Sequence, residues 1–232
     1  PDCVIIAAAR VGGILANKNF KANFIYENIM IQTNLIHSSY LAGVKKLIFL
    51  GSSCIYPKFA KQPISEDQLL TSKLEETNDA YAIAKITGVK MCEAYNNQYN
   101  LDYLCLMPTN LYGPNDNYNL LTSHFFPALI KKIHEAKKKN LNNLLIWGNG
   151  KAKRELMFVD DLASACEFFL RNKTYHSLIN IGSGIEKTIE DYANFLMKKM
   201  SVKLKIKKDL TIPNGTPRKI LCTKLAKQYG WK

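Results

Sequence analysis

Tyr81-Ala82-Ile83-Ala84-Lys85 sets a phenol and an ammonium four residues apart, which on a helix puts both on one face. Such a pair can protonate an alkoxide. A tyrosine with a pKa of about 10 becomes usable near neutrality when a neighbouring cation stabilises its phenolate. The same spacing alone also describes an ordinary solvated helix face, so context must decide. Upstream, an apolar run over residues 46–50 ends at Gly51-Ser52-Ser53, and downstream another over residues 103–107 ends at Pro108-Thr109-Asn110. Ligand sites in open α/β sheets lie at the carboxyl ends of the strands. A serine hydroxyl there can hydrogen-bond a substrate carbonyl beside the tyrosine. Ser52, Tyr81 and Lys85 could together hold a carbonyl oxygen and protonate it as it is reduced.

Two further titratable groups stand nearby in sequence. Cys54 follows the serines, and His124 precedes an apolar helix-like stretch. By themselves they read as a packed thiol and as a helix cap or surface residue. The other cysteines (Cys3, Cys92, Cys105, Cys166, Cys222) form no CxxC pair and no cluster with histidine, and most sit in apolar periodic runs as small core residues. Neither a disulfide framework nor a metal site is expected, and a reducing, cytoplasmic setting fits.

The elements that would position these groups alternate. Strands are expected at residues 3–9, 46–50, 103–107, 144–147, 154–159 and 178–181, and helices at 23–42, 80–98, 124–138 and 161–171. Thr188 opens a further helix, with Asp191 completing a capping box. Residues 148–153, 182–187 and 211–218 read as loops. This rhythm argues for an α/β fold, a Rossmann-like doubly wound parallel sheet covered on both faces. A discontinuous cofactor domain over 1–120 and 154–182 is expected, with a small carboxyl-terminal substrate lobe over 121–153 and 183–232. No glycine pattern of the GxGxxG type follows the opening strand. Gly182-Ser183-Gly184 lacks the third glycine and reads as a plain strand-to-helix turn.

With 232 residues, 47% of them hydrophobic, the chain can bury a large core. No run reaches the roughly 20 apolar residues of a membrane span. The net charge of +13 comes from scattered lysines with short clusters at 137–139 and 205–208. Few aromatics interleave with them, which speaks against a nucleic-acid surface. A solvated basic surface explains most of the charge and an anionic small molecule part of it.

Several runs together resemble the GDP-L-fucose synthase family of extended short-chain dehydrogenases/reductases. They are Leu50-Gly51-Ser52-Ser53-Cys54-Ile55-Tyr56-Pro57-Lys58, Tyr81-Ala82-Ile83-Ala84-Lys85 and Met107-Pro108-Thr109-Asn110-Leu111-Tyr112-Gly113-Pro114. Residues 7–14, Trp147-Gly148, Arg154-Glu155, Val159-Asp160-Asp161 and Gly215-Thr216-Pro217-Arg218-Lys219 extend the likeness over the chain. The resemblance implies NADPH-dependent 3,5-epimerisation and 4-keto reduction of GDP-4-keto-6-deoxy-D-mannose to GDP-L-fucose. By the same matching, Ser52, Tyr81 and Lys85 form the reductive triad, Cys54 is the epimerisation base and His124 the acid. Ala8, Ala9, Leu50, Gly51, Ser52, Ser53, Lys85, Pro108, Thr109, Asn110, Leu111 and His124 would line NADP(H). Lys132, Trp147, Arg154 and Lys219 would hold the GDP-linked sugar, although Trp147 reads equally as core. The family's homodimer makes helices 23–42 and 80–98 candidates for an interface.

Departures from the family pattern are Arg10 for lysine, Phe158 for histidine or tyrosine, and Asn214 for an acidic residue. The resemblance also implies that the family's first βαβ units, on the order of 55 residues, precede this sequence, and that the carboxyl end stops early at Trp231-Lys232. Two rivals remain. Another nucleotide-sugar enzyme, a 4,6-dehydratase, would carry Thr-Asp or Thr-Glu where Ser53-Cys54 stands, and a 4-epimerase would not need Cys54 and His124. A non-catalytic binding protein would have little use for all five groups.

Overall fold

The structure is a computed structural model describing residues 1–212 and 214–231. Four strands, β1 (Cys3–Ile6), β2 (Lys46–Leu50), β3 (Asp102–Pro108) and β7 (Leu178–Ile181), form a parallel sheet in the order β1-β2-β3-β7. Strand alternation sorts their side chains into two cores. Leu47, Phe49, Tyr103, Cys105 and Met107 face helices α2 (Lys21–Leu41) and α3 (Asp79–Tyr99), meeting Ile36, Val89 and Cys92. Ile48, Leu104, Leu106 and Ile179 face the other way, onto Leu162 and Phe169 of α5 (Val159–Arg171) and onto Ala226 of α7 (Lys224–Gln228) with Trp231 beyond it. Burial on both faces is why these strands read as continuous apolar runs.

Beyond the carboxyl ends of this sheet, β4 (Asn110–Tyr112), β6 (Lys153–Phe158) and β10 (Arg218–Lys219) pair in parallel, with β8 (Glu186–Thr188) antiparallel to β6. A third pair, β5 (Asn143–Trp147) and β9 (Lys205–Asp209), runs parallel. Helices α4 (Phe125–Lys138) and α6 (Ile189–Lys199) share a core with β5, in which Phe126, Ile133, Ile146 and Leu196 are buried. Thr188 caps α6 as the sequence suggests. Its Oγ1 accepts from Asp191 N at 3.0 Å, and its own N–H donates to the Asp191 carboxylate at 3.1 Å.

Some local expectations are corrected. The first strand stops at Ile6 rather than continuing to Ala9, because β2 offers partners only for residues 3–6. A short helix α1 (Ile14–Asn19) follows where none is expected. The lysine cluster at 205–208 lies in strand β9, because half-buried Ile206 packs inward while the exposed Lys205, Lys207 and Lys208 keep their charges in water. Residues 182–187 are not loop throughout, since Glu186 already opens β8. Within the loop expected at 211–218, Pro213 lies outside the described residues, as does Lys232 at the end of the chain.

Candidate active site

A cleft of about 560 Å³ opens between the carboxyl ends of the main sheet and the second sheet. Ser52, Cys54, Tyr81, Lys85 and His124 all line it. The turn after β2 begins with Gly51, where any Cβ would run into the Met107 side chain. Ser52 is extended and caps a single 3-10 turn over Ser53–Ile55, its Oγ accepting from Cys54 N at 3.2 Å. Hydroxyl and thiol are thereby fixed side by side.

Helix α3 brings Tyr81 and Lys85 against this turn. The ring of Tyr81 meets Phe24 edge-on, with centroids 6.2 Å apart. Burial pushes the phenol well above its ordinary range, charge on Cys54 adds to this, and the Ser52 hydroxyl partly opposes it. Lys85 does not pull the phenol toward neutrality, as the spacing suggested it would. Its Nζ donates to Leu50 O at 2.8 Å and lies 4.7 Å from the centroid of Phe49, but 6.0 Å from that of Tyr81. Tyr81 therefore stands as a neutral phenol, the form that can give up a proton.

Burial also lowers Lys85 to about 8 from 10.5. The unfolded chain then binds more protons than the folded one between those two values, so this lysine makes stability rise with pH across that window. Below pH 8 its buried charge costs about 3 kcal/mol, net of the hydrogen bond to Leu50 O, while removing the side chain leaves that carbonyl unpaired at about 1–3 kcal/mol. Lys85→Met is expected to leave stability at pH 7 unchanged or raised by about 1 kcal/mol while disabling reduction. Urea titrations of both proteins at pH 7 and pH 10 check this. A large destabilisation at pH 7 would contradict it.

Cys54 is half-buried. Burial alone would push its thiol up, but the Lys219 ammonium, hydrogen bonds from Ser52 and Lys219, and the Arg154 guanidinium outweigh it, leaving the thiol below its ordinary value. His124 is the N-cap of α4 but makes no capping bond with its side chain. The residue is exposed where it lines the cleft, yet enough protein lies around the ring to disfavour its charged form. That crowding, together with Lys219, lowers its pKa against an opposing pull from Asp116. Its position depends on Gly13, whose N–H donates to Thr122 O at 2.8 Å and where a Cβ would run into the Ser123 carbonyl.

Lys132, Trp147, Arg154 and Lys219 also line the cleft. Lys132 Nζ lies 4.7 Å from the Trp147 ring centroid and donates to Leu145 O at 3.0 Å. Trp147, left open in sequence between core and contact, is half-buried with its ring under that ammonium. Arg154 donates to Lys153 O at 2.8 Å and Asn214 O at 3.4 Å, and burial lowers its pKa. Three cations in one cleft suit a diphosphate, with the guanidinium as a fork and the ammoniums as point charges.

Ala9, Leu50, Gly51, Ser53, Pro108, Thr109, Asn110 and Leu111 form the remaining expected wall, but Ala8 is not part of it. Ala7 and Ala9 face the cleft instead, as side-chain alternation along an extended run requires. Thr109 and Asn110 are oriented by donating to Glu155 O at 3.2 and 3.0 Å. Sequence reasoning missed Asn17, Glu75, Asn78, Asp116 and Ser123, which come from loops or short elements without a spacing signal. Among the described residues, Asn17 Oδ1 and Ser123 Oγ are buried beside the cleft without a hydrogen-bond partner.

Residues 1–182 match the NAD dependent epimerase/dehydratase family. The chain is 52% identical over 231 residues to a putative GDP-L-fucose synthase 2 of Arabidopsis thaliana, covering all of this chain and 70% of that protein. It is 48% identical over 239 residues to a GDP-L-fucose synthase of Escherichia coli strain K12, covering 99% and 74%. Among solved structures, a GDP-mannoheptose C4 reductase from Campylobacter jejuni with NADP bound superposes with a TM-score of 0.87 at 34% identity, covering all of this chain and 76% of that one. A matching family over most of the chain and near-half identity throughout lead to one conclusion: the chain belongs to the NAD dependent epimerase/dehydratase family, among the GDP-L-fucose synthases.

Proposed function

We propose that this protein inverts GDP-4-keto-6-deoxy-D-mannose at C3 and C5 and then reduces its 4-keto group with NADPH, forming GDP-L-fucose. The observation that carries this reading is the convergence of two proton-transfer pairs, Ser52 with Tyr81 and Cys54 with His124, on one cleft that three cations also line. Protons beside a ketone are acidic enough for a thiolate to remove. Cys54 takes them on one face of the ring, and His124 returns a proton on the other. Ser52 then hydrogen-bonds the carbonyl oxygen while Tyr81 protonates it. Lys132, Arg154 and Lys219 hold the diphosphate.

NADP(H) fits the end of the cleft walled by Ala9, Leu50 to Ser53, Lys85, Pro108 to Leu111 and His124. The small residue Ala9 leaves room there, and Lys85 offers a fixed cation. When bound, it supplies the hydride that reaches C4. Residues 1–120 and 154–182 serve the cofactor in this reading, and 121–153 and 183–232 the sugar nucleotide.

The six unpaired thiols favour a reducing, cytoplasmic setting. Exposed Tyr26, Met30, Leu35 and Ile83 on α2 and α3 favour a homodimer through those helices. Among the described residues, no helix is long and apolar enough to cross a membrane.

The test is incubation with GDP-4-keto-6-deoxy-D-mannose and NADPH, followed by mass spectrometry and NMR of the product. Two added hydrogens and inversion at both carbons are expected. Reduction without inversion would refute the epimerase half, and inversion without reduction the reductase half.

A further inference from the structure

Lys219 enters the cleft from β10, and its Nζ donates to Cys54 Sγ at 3.4 Å. The backbone that carries it is anchored on two sides. Lys219 pairs in register with Arg154 of β6. Ile220 N donates to Gln62 Oε1 at 3.0 Å, and Ile220 O accepts from Ile64 N at 2.8 Å. Leu221 N donates at 3.0 Å to the carboxylate of Glu155, which is fully buried and also takes Gly184 N at 2.6 Å. These ties fix the backbone from which the Lys219 side chain reaches the sulfur.

We propose that Lys219 is a positioning residue for the Cys54 base, its ammonium holding the sulfur as a thiolate in the protein before any keto-sugar binds. The inference deepens the epimerase reading above and gives Lys219 a role other than gripping the nucleotide. A thiol removes protons only as thiolate, so a neighbouring cation raises the reactive fraction near neutral pH. A lysine suits this task because its charge is compact and its three donors can rotate onto one acceptor.

Other groups also face the sulfur or its partners. Arg154 approaches from β6, Tyr81 from α3 and the Ser52 hydroxyl from the same turn. Glu75 acts on Arg154, while Lys219 and Asp116 both act on His124 at the start of α4. Of the charges acting on Cys54, Lys219 has the largest effect in lowering the thiol.

The deciding measurement, thiol alkylation, needs no nucleotide sugar, so its outcome is independent of the proposed substrate. Iodoacetamide alkylation of Cys54 is followed against pH by peptide mass spectrometry in the ligand-free full chain, with the exposed Cys3 as internal reference. Lys219→Met should raise the Cys54 midpoint by at least about one pH unit, leaving less thiolate at pH 7. Lys219→Arg should restore most of it, and Cys3 should not respond. Lys219→Gln replaces the methionine variant if circular dichroism shows that variant unfolded. A Cys54 midpoint unchanged in the folded neutral variant overturns the proposal. If that variant instead shows only a raised KM for the sugar nucleotide, Lys219 is a substrate contact and nothing more.

Discussion

Tyr81→Phe should lose reduction of the keto-sugar by about 10²- to 10⁴-fold, the usual worth of a positioned proton donor, while solvent deuterium continues to enter the substrate. The phenol is buried, and its raised pKa keeps it protonated, so it can donate to the developing alkoxide but cannot serve as the base that opens the epimerisation. Phenylalanine keeps the ring against Phe24 and removes only the hydroxyl. The two steps can be read separately in full-length enzyme, as loss of NADPH absorbance and as NMR of deuterium at C3 and C5. If exchange falls with reduction while the fold remains intact, the separation of duties between the two proton-transfer pairs is wrong.

Cys54→Ala should produce the converse pattern. Deuterium exchange falls by about 10²- to 10⁴-fold, and reduction slows because its epimerised substrate is no longer made. In the unmodified protein the thiolate is the active form, so exchange should rise with pH through a midpoint below the roughly 8.5 of a free thiol. The direction follows from burial, which opposes the charge, being outweighed by Lys219, the hydrogen bonds and Arg154. Pre-epimerised substrate supplied to Cys54→Ala should be reduced at close to the normal rate. Failure of that rescue in a folded variant would mean that the thiol also serves the reductive step.

These expectations rest on side chains that were legible in the sequence to different degrees. The central strands could be read because burial on both faces demands unbroken apolar runs, as at residues 46–50 and 103–107. Helix α6 could be read because its capping box is a local arrangement. Strand β9 could not, since its lysines alternate with a single packed isoleucine and the pairing with β5 is a long-range event. Helix α1 is a short turn set by contacts that no local pattern announces.

By itself, the amino-acid order determined which groups could do the chemistry. The YxxxK spacing, the serines and cysteine after β2 and the GTPRK run are local facts, and local facts survive in one dimension. Tertiary structure alone decided their electrostatic states. The cation expected to tune Tyr81 donates to Leu50 O instead, and burial holds the phenol neutral. Cys54 acquires its nearest charge from Lys219, 165 positions away in the chain. Burial and charge proximity are sums over neighbours in space, and the folded chain supplies those neighbours from α3, β6 and β10 together.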